Sequence, residues 1–241
     1  PAVLFHVAWA QVLARCTASD DVVFGTVVTG RLQGTAGAER AMGMFMNTLP
    51  VRVQLAAQGA HELVMATHRD LSELLAHEQS PLALAQRCSG VATAVPLFTT
   101  LLNYRHQGRD SRLQWTGLRL LDSAERTNYP LDLTVNDYGD EFSLMMHSVA
   151  PVEPQRMCAM MQCALEQLTE ALAHTPHIVL TQLDVLPNAE RTRLLETFNQ
   201  TTQDYPTDRC IQHLFEAQVR AQPDAIAVAF QTQRLSYAEL N

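Results

Sequence analysis

Lysine is missing altogether: the 17 basic residues are all arginine. Without it the chain can form no Schiff base and offers no P-loop lysine to a nucleotide phosphate. Positive charge is scarce too. A net charge of −8 argues against a general nucleic-acid binder, which needs a basic surface to displace counterions from phosphates. No apolar run reaches the roughly 20 residues that span a bilayer, and no signal-peptide pattern opens the chain. The five cysteines, Cys16, Cys88, Cys158, Cys163 and Cys210, are odd in number, widely spaced and form no C-x-x-C pair, the pattern of reduced thiols. Together these absences predict a cytoplasmic protein with neither a nucleic-acid nor a membrane partner.

The chain has 241 residues, 47% of them hydrophobic and 17% charged, enough for one large domain or two modest ones. It opens on Pro1 without an initiator Met and closes on Leu235-Ser236-Tyr237-Ala238-Glu239-Leu240-Asn241, where a helix is starting. Both ends read as cut, so a segment of a longer polypeptide is expected.

Residues Pro1 to Arg15 are apolar nearly all round, as in a helix buried between layers, and His6 there reads as a core histidine with its hydrogen bonds met. Asp21 to Arg31 is a β-branched run closed by glycine, a buried strand. The Gly-rich loop Gly30 to Gly37 lacks the G-x-G-x-x-G order, which argues against a nucleotide role. Next comes Ala41 to Arg52, where a glycine precedes Met44, Phe45 and Met46, and then Asn47 and Thr48. This stretch predicts a turn whose three apolar side chains plug a core while the two polar groups stop at its edge.

A strand is expected over Thr48 to Leu55 and an amphipathic helix over Ala60 to His77, with Leu63, Val64, Thr67, Leu71, Leu74 and Leu75 as its stripe. His61, His68 and His77 around it lack the i, i+4 spacing of helical metal ligands. A short helix follows Pro81, placed in its first turn. Strands are read at Pro96 to Tyr104, Leu113 to Leu121 and Leu131 to Val135, with Phe142 to His147 pairing the last across a turn at Asn136 to Asp140. His106 and Asp110 imitate an acyltransferase spacing, but no second His precedes them and Ser111 stands where Gly is needed. Asn128-Tyr129-Pro130 reads as a turn into an edge strand, since proline sets an extended entrance.

Val152 to His174 is a long helix with Pro154 in its first turn and an apolar stripe running from Met157 to Leu172. From Thr175, proline-punctuated polar pieces read as a linker region with a small helix at Ala189 to Phe198. A new pattern then starts at Cys210: amphipathic helix, strand Ala225 to Phe230, and a hairpin into Leu235 to Tyr237.

The order of these motifs resembles the C-terminal half of a condensation domain of a nonribosomal peptide synthetase, followed by the linker and first residues of an adenylation domain. Met42 to Arg52 looks like that family's motif of Gly, x, Phe, a hydrophobic residue, Asn-Thr and a later Arg. His77-Glu78-Gln79-Ser80-Pro81-Leu82 is a looser match to its next motif, from which Glu78, Gln79 and Ser80 depart. Arg126-Thr127-Asn128-Tyr129-Pro130-Leu131 is similar to its last motif, and Leu235 to Leu240 to the first core motif of adenylation domains.

The resemblance implies an α+β fold: an α/β two-layer sandwich, the second lobe of a chloramphenicol acetyltransferase-like architecture, with a mixed sheet and covering helices. It implies residues 1–185 as the lobe, 186–208 as linker and 209–241 as a truncated adenylation start. The implied reaction joins a donor acyl or peptidyl thioester to an acceptor aminoacyl thioester, both carried on phosphopantetheine by partner carrier domains. ATP and Mg would serve only a complete adenylation domain. The implied partners are carrier domains, the N-terminal lobe and the downstream adenylation domain.

The family's catalytic histidine belongs to an H-H-x-x-x-D-G motif that no His here matches, so no catalytic residue is carried over and these residues alone are expected to be inactive. Asn47 and Thr48 are expected near the lobe interface, and Asn128 and Tyr129 at the substrate tunnel. Leu102 to His106 taken with Glu125 to Pro130 resembles the subtype that also epimerises its donor. Two other readings stay open: a coenzyme A-dependent acyltransferase of the same fold, and a silent lobe that only docks carrier domains.

Overall fold

A computed structural model describes residues 1–32, 37, 40–106 and 125–241. The strand expected at Leu113 to Leu121 and the Asp110 half of the His106 spacing lie outside the described residues. The chain divides into two units, Pro1–Arg191 and Thr192–Asn241.

The first unit is built on a five-stranded sheet. Its strands are β1 (Asp21–Val28), β2 (Asn47–Gln54), β3 (Thr100–His106), β4 (Leu131–Asp137) and β5 (Phe142–Ser148). Their spatial order is β2-β1-β3-β4-β5. β1 is antiparallel to β2, β4 is antiparallel to β5, and the β1-β3 and β3-β4 pairs are parallel. The sheet is therefore mixed, as expected.

Strand alternation sorts the side chains onto two faces. Val22, Phe24, Leu49, Val51, Val53, Leu102, Leu133 and Val135 are buried together on one of them. Against this face packs α1 (Ala2–Thr17), which touches β1 and β3 and lies beside α2 (Ala60–Leu75) and α4 (Pro154–His174). Residues Phe5 to Ala14 of α1 are buried without a break, because the sheet covers one side and a helix each flank. That is why this helix is apolar all round.

His6 is 4% exposed and satisfied at both nitrogens: Nδ1 lies 2.7 Å from the Ala2 carbonyl oxygen and Nε2 2.8 Å from Thr26 Oγ1. Burial lowers its pKa to about 4, so the ring is neutral. The stripe of α2 lies inward through Leu63 and Thr67, and that of α4 through Met157, Met160, Met161, Ala164, Leu168 and Ala171. The methionines fill the core.

Four expectations need correction. The apolar plug does not form: Met44 is 93% exposed and Met46 69%, while Phe45 sits under the Arg31 guanidinium at 4.5 Å. Arg31 Nη1 also donates to the Ala41 carbonyl at 2.8 Å, so the loop closes on an arginine instead of entering the core. The stretch after Thr175 is no linker at first: Leu180, Leu183 and Val185 are buried, and buried Gln11 donates its amide to the carbonyls of Leu180 and Leu183. The strand expected from Pro96 starts at Thr100; Pro96 has no N–H for a ladder, and Phe98 stacks on Tyr129. Finally, Asn128-Tyr129-Pro130 does not lead to an edge, because β4 lies between β3 and β5. Pro81 caps α3 (Leu82–Cys88) from outside.

The small helix expected at Ala189 to Phe198 is α5 (Asn188–Leu195), which spans the boundary between the units in sequence. In the second unit, α6 (Ile211–Ala221) is followed by the antiparallel pair β6 (Ile226–Phe230) and β7 (Gln233–Ser236) and by α7 (Tyr237–Leu240). Ser236 and Glu239 form a reciprocal capping box that fixes the start of α7, a pairing that satisfies two otherwise unmet N–H groups.

Candidate functional site

The helices cover one face of the sheet, and the candidate residues distribute around the other. Thr48 lies on that other face, paired with Val27. Asn47 does not. Its Nδ2 donates to the carbonyls of Glu78 at 2.9 Å and Ser80 at 2.7 Å, and its Oδ1 accepts from the Thr48 N–H at 2.9 Å. Both amide protons are thus committed to backbone, and the side chain ties the first residue of β2 to the turn after α2. This brings together two motifs read separately in the sequence, Met42 to Arg52 and His77 to Leu82. Gln79 in the same turn donates to the Gly30 carbonyl. Gly30 has φ +66°, and a Cβ there would run into the Phe45 carbonyl, so only glycine fits.

Asn128 and Tyr129 stand at the entrance of β4, beyond the opposite end of the parallel strands from Asn47, which pairs with the last residue of β1. The structure does not bring the two pairs together. Asn128 is exposed and Tyr129 half-buried. The Tyr129 ring stacks on Phe98 with centroids 5.5 Å apart and planes 14° from parallel. Phe98 in turn lies against Gly25, where a Cβ would collide with the Phe98 ring and Leu101 Cδ2. The glycine in the middle of β1 makes room for the aromatic pair.

Next to this stack the sheet face away from the helices is polar, with Leu101, Thr134 and Asn136 buried on it. Asp132 and Thr134 of β4 sit beside Leu101 and Asn103 of β3 on one side, and His147 and Met145 of β5 on the other. Arg105 grips Glu125 with two bonds, 2.9 and 2.7 Å. The Arg105 bond holds the Glu125 carboxyl below its usual range, whereas burial raises that of Asp132. Sequence reading missed this band. The signal was available in Leu131-Asp132-Leu133-Thr134-Val135-Asn136, which alternates apolar and polar with the strand period of two.

At the far end of β3 and β4, Asp137 is a hub on the helix face. Its Oδ2 accepts from Tyr104 Oη at 2.5 Å and lies 3.0 Å from His106 Nδ1, and its Oδ1 accepts from the Gly139 N–H at 2.8 Å. These bonds lower the Asp137 pKa to about 2. His106 therefore has a carboxylate partner that lies far from it in sequence. A cavity of about 730 Å³ opens between α1 and α4, lined among others by Leu13, Cys16, Thr100, Arg156 and Met157. It touches none of Asn47, Thr48, Asn128 or Tyr129. All five cysteines are free. Among the described residues no helix is long and apolar enough to cross a membrane, and no three His, Cys, Asp or Glu groups converge as metal ligands.

Comparison with known proteins fits this architecture. The condensation domain model matches residues 2–195. Malpinin synthetase of Mortierella alpina is 46% identical over 240 residues, covering 99% of this chain and 3% of that protein. Bacitracin synthase 1 of Bacillus licheniformis is 29% identical over 241 residues, covering 97% and 4%. The chain therefore spans only a few hundredths of the length of these relatives.

Among solved structures, a four-domain nonribosomal peptide synthetase bound to AMP and glycine superimposes with a TM-score of 0.65 at 17% identity, over 99% of this chain and 19% of that one. The condensation domain of the Monacolin K polyketide synthase MokA gives 0.58 at 23%, over 74% and 42%. At these identities the structural matches speak for the fold. Family model, relatives and mixed sheet agree: this chain belongs to the condensation domain family of nonribosomal peptide synthetases.

Proposed function

We propose that this chain is the second lobe of a condensation domain that joins a donor acyl or peptidyl thioester to the amine of an acceptor aminoacyl thioester. Both substrates arrive on phosphopantetheine arms of carrier domains. Tethering makes the attack effectively intramolecular, and a dry passage shields the thioester from water. The observation that carries this reading is the asymmetry of the sheet: one face is sealed by helices, and the other presents the Phe98–Tyr129 stack beside a polar band. An aromatic wall with a few polar groups is the usual lining of a substrate passage.

On this reading the catalytic histidine is supplied by an N-terminal lobe, and residues 209–241 begin an adenylation domain, whose ATP and Mg serve activation of the next amino acid. Thr48 and Tyr129 line the passage, Asn128 stands at its mouth, and Asn47 positions the turn at Glu78 to Ser80. In the full-length protein, loaded donor and acceptor carriers should yield a joined product on the acceptor carrier, read by intact-protein mass spectrometry; residues 1–241 alone should yield none. Absence of product from the full-length protein would overturn the reading. Asn47→Ala in that protein should lower stability by about 1–2 kcal/mol, since two carbonyls lose their donor, and slow condensation. Unchanged melting and unchanged rate would remove its positioning role.

A second reading adds epimerisation of the donor residue. It is favoured by the Arg105–Glu125 pair, which joins the two segments whose combination resembles that subtype. Chiral analysis of the product decides it: an unchanged donor centre would exclude it.

A further inference from the structure

Three separate segments meet at the exit of β1. Gly30, two residues past the end of that strand, has φ +66°, and the Phe45 carbonyl occupies the place where a Cβ would stand on it. The Gly30 carbonyl accepts a hydrogen bond from Gln79 Nε2. The chain therefore leaves β1 held by contacts to both the loop Ala41 to Met46 and the turn after α2. Arg31, the next residue, closes that loop: its guanidinium lies 4.5 Å over the Phe45 ring and donates to the carbonyls of Ala41 at 2.8 Å and Gly43 at 3.4 Å. Met42, Met44 and Met46 are 99%, 93% and 69% exposed, so burial does not place this loop and its polar ties must.

The turn after α2 is tied twice, by amides running in opposite directions. Asn47, the first residue of β2, donates to the carbonyls of Glu78 and Ser80 at 2.9 and 2.7 Å. Gln79, the residue between them, carries the connection on to Gly30. The two amides have different tasks. Asn47 fixes the turn to β2 and accepts from the Thr48 N–H at 2.9 Å, whereas Gln79 links the turn to the exit of β1. A bond from a side-chain amide to a backbone carbonyl is directional and needs an N–H, so this link depends on what Gln79 donates and not on its bulk. Gln79 also departs from the motif that His77 to Leu82 resembles, and the resemblance assigns it no role.

We propose that Gln79 is a positioning residue of the condensation reaction: through Gly30 and the Phe45 carbonyl it fixes the loop Ala41 to Met46, and with it Thr48 at the edge of the substrate passage. This rests on the reading of the chain as the second lobe of a peptide-bond-forming condensation domain. Gln79 acts through these residues and not on the reacting atoms. Its effect is one of geometry, and a displacement of about 1 Å far from the chemistry can cost about a hundredfold in rate.

The test uses the full-length protein with loaded donor and acceptor carriers. Gln79→Glu keeps the shape of the side chain and removes the donor. It should lower kcat about tenfold, while KM for each carrier stays within about twofold and the melting transition does not move. Gln79→Lys returns an N–H donor at similar reach and should restore kcat to within about threefold of wild type. A purely structural role would shift the melting transition and would not follow the donor. If Gln79→Glu disturbs folding, Gln79→Met, of similar length and uncharged, is read against Gln79→Lys in the same way. An unchanged kcat, a loss confined to KM, or a loss that Gln79→Lys does not recover overturns the positioning role. Product from the wild-type protein then leaves the functional reading standing; no product from the wild-type protein brings down both.

Discussion

The two faces of the sheet differ in what packs on them: α1, α2 and α4 lie on one, and the Phe98–Tyr129 stack lies on the other. On the helix side, buried His6 has a partner at each ring nitrogen and Asp137 has three, while Thr100 Oγ1 and, on α1, Trp9 Nε1 and Gln11 Oε1 are unmet among the described residues. On the other face, Asp132, Thr134 and His147 keep atoms unmet among the described residues, and Phe98 and Leu101 fill the space over Gly25.

The sharpest way to test this contrast is to damage each face in turn. Leu102 is 0% exposed in the centre of the helix face, so Leu102→Ala should destabilise the unit by about 2–5 kcal/mol through lost burial and a residual cavity. A chemical-denaturation loss below about 1 kcal/mol, well under that range, would show that this face is not the core. Acid probes the same side. The His6 pKa falls from 6.5 to about 4 on folding, so between those values the unfolded chain binds more protons than the folded one. Stability from this residue is then complete above pH 6.5 and declines as pH drops towards 4, by about 3 kcal/mol in all. His6→Gln should flatten that part of the stability profile; an unchanged slope would assign the acid sensitivity elsewhere.

On the open face the effect should be smaller and more local. Gly25→Ala places a methyl against the Phe98 ring and Leu101, for a cost of about 1–3 kcal/mol. Because the atoms it meets are the far ends of side chains, the main consequence should be a displaced Phe98–Tyr129 stack, seen as faster amide hydrogen exchange at Asn128 and Tyr129. Equal loss of protection throughout α1 would mean that the two faces are not independent.

Much of this fold was legible in the order of residues. The all-apolar α1, the stripes of α2 and α4, and the β4-β5 hairpin follow from periodicities of 3.6 and 2, and side-chain burial enforces these locally. The failures were specific. Met44, Phe45 and Met46 are hydrophobic enough to be core, yet Arg31 and the loop backbone hold them away from it. Leu180, Leu183 and Val185 lie among prolines and polar residues that suggest a linker. They pack into the hydrophobic core, where Gln11, some 170 positions earlier in the chain, donates its amide to the Leu180 and Leu183 carbonyls.

The site divides the same way. By itself the sequence determined the family, through the order of its motifs, and the alternation that puts Asp132 and Thr134 on one side of a strand. Only the tertiary structure decided that Asn47 spends its amide on the turn at Glu78 to Ser80, that Tyr129 stacks on Phe98 over Gly25, and that His147 faces Asp132 without bonding it. The reason is physical. Periodicity reports which way a side chain points within its own element, whereas a hydrogen bond or a stack depends on register between elements far apart in the chain, and no local pattern carries that distance.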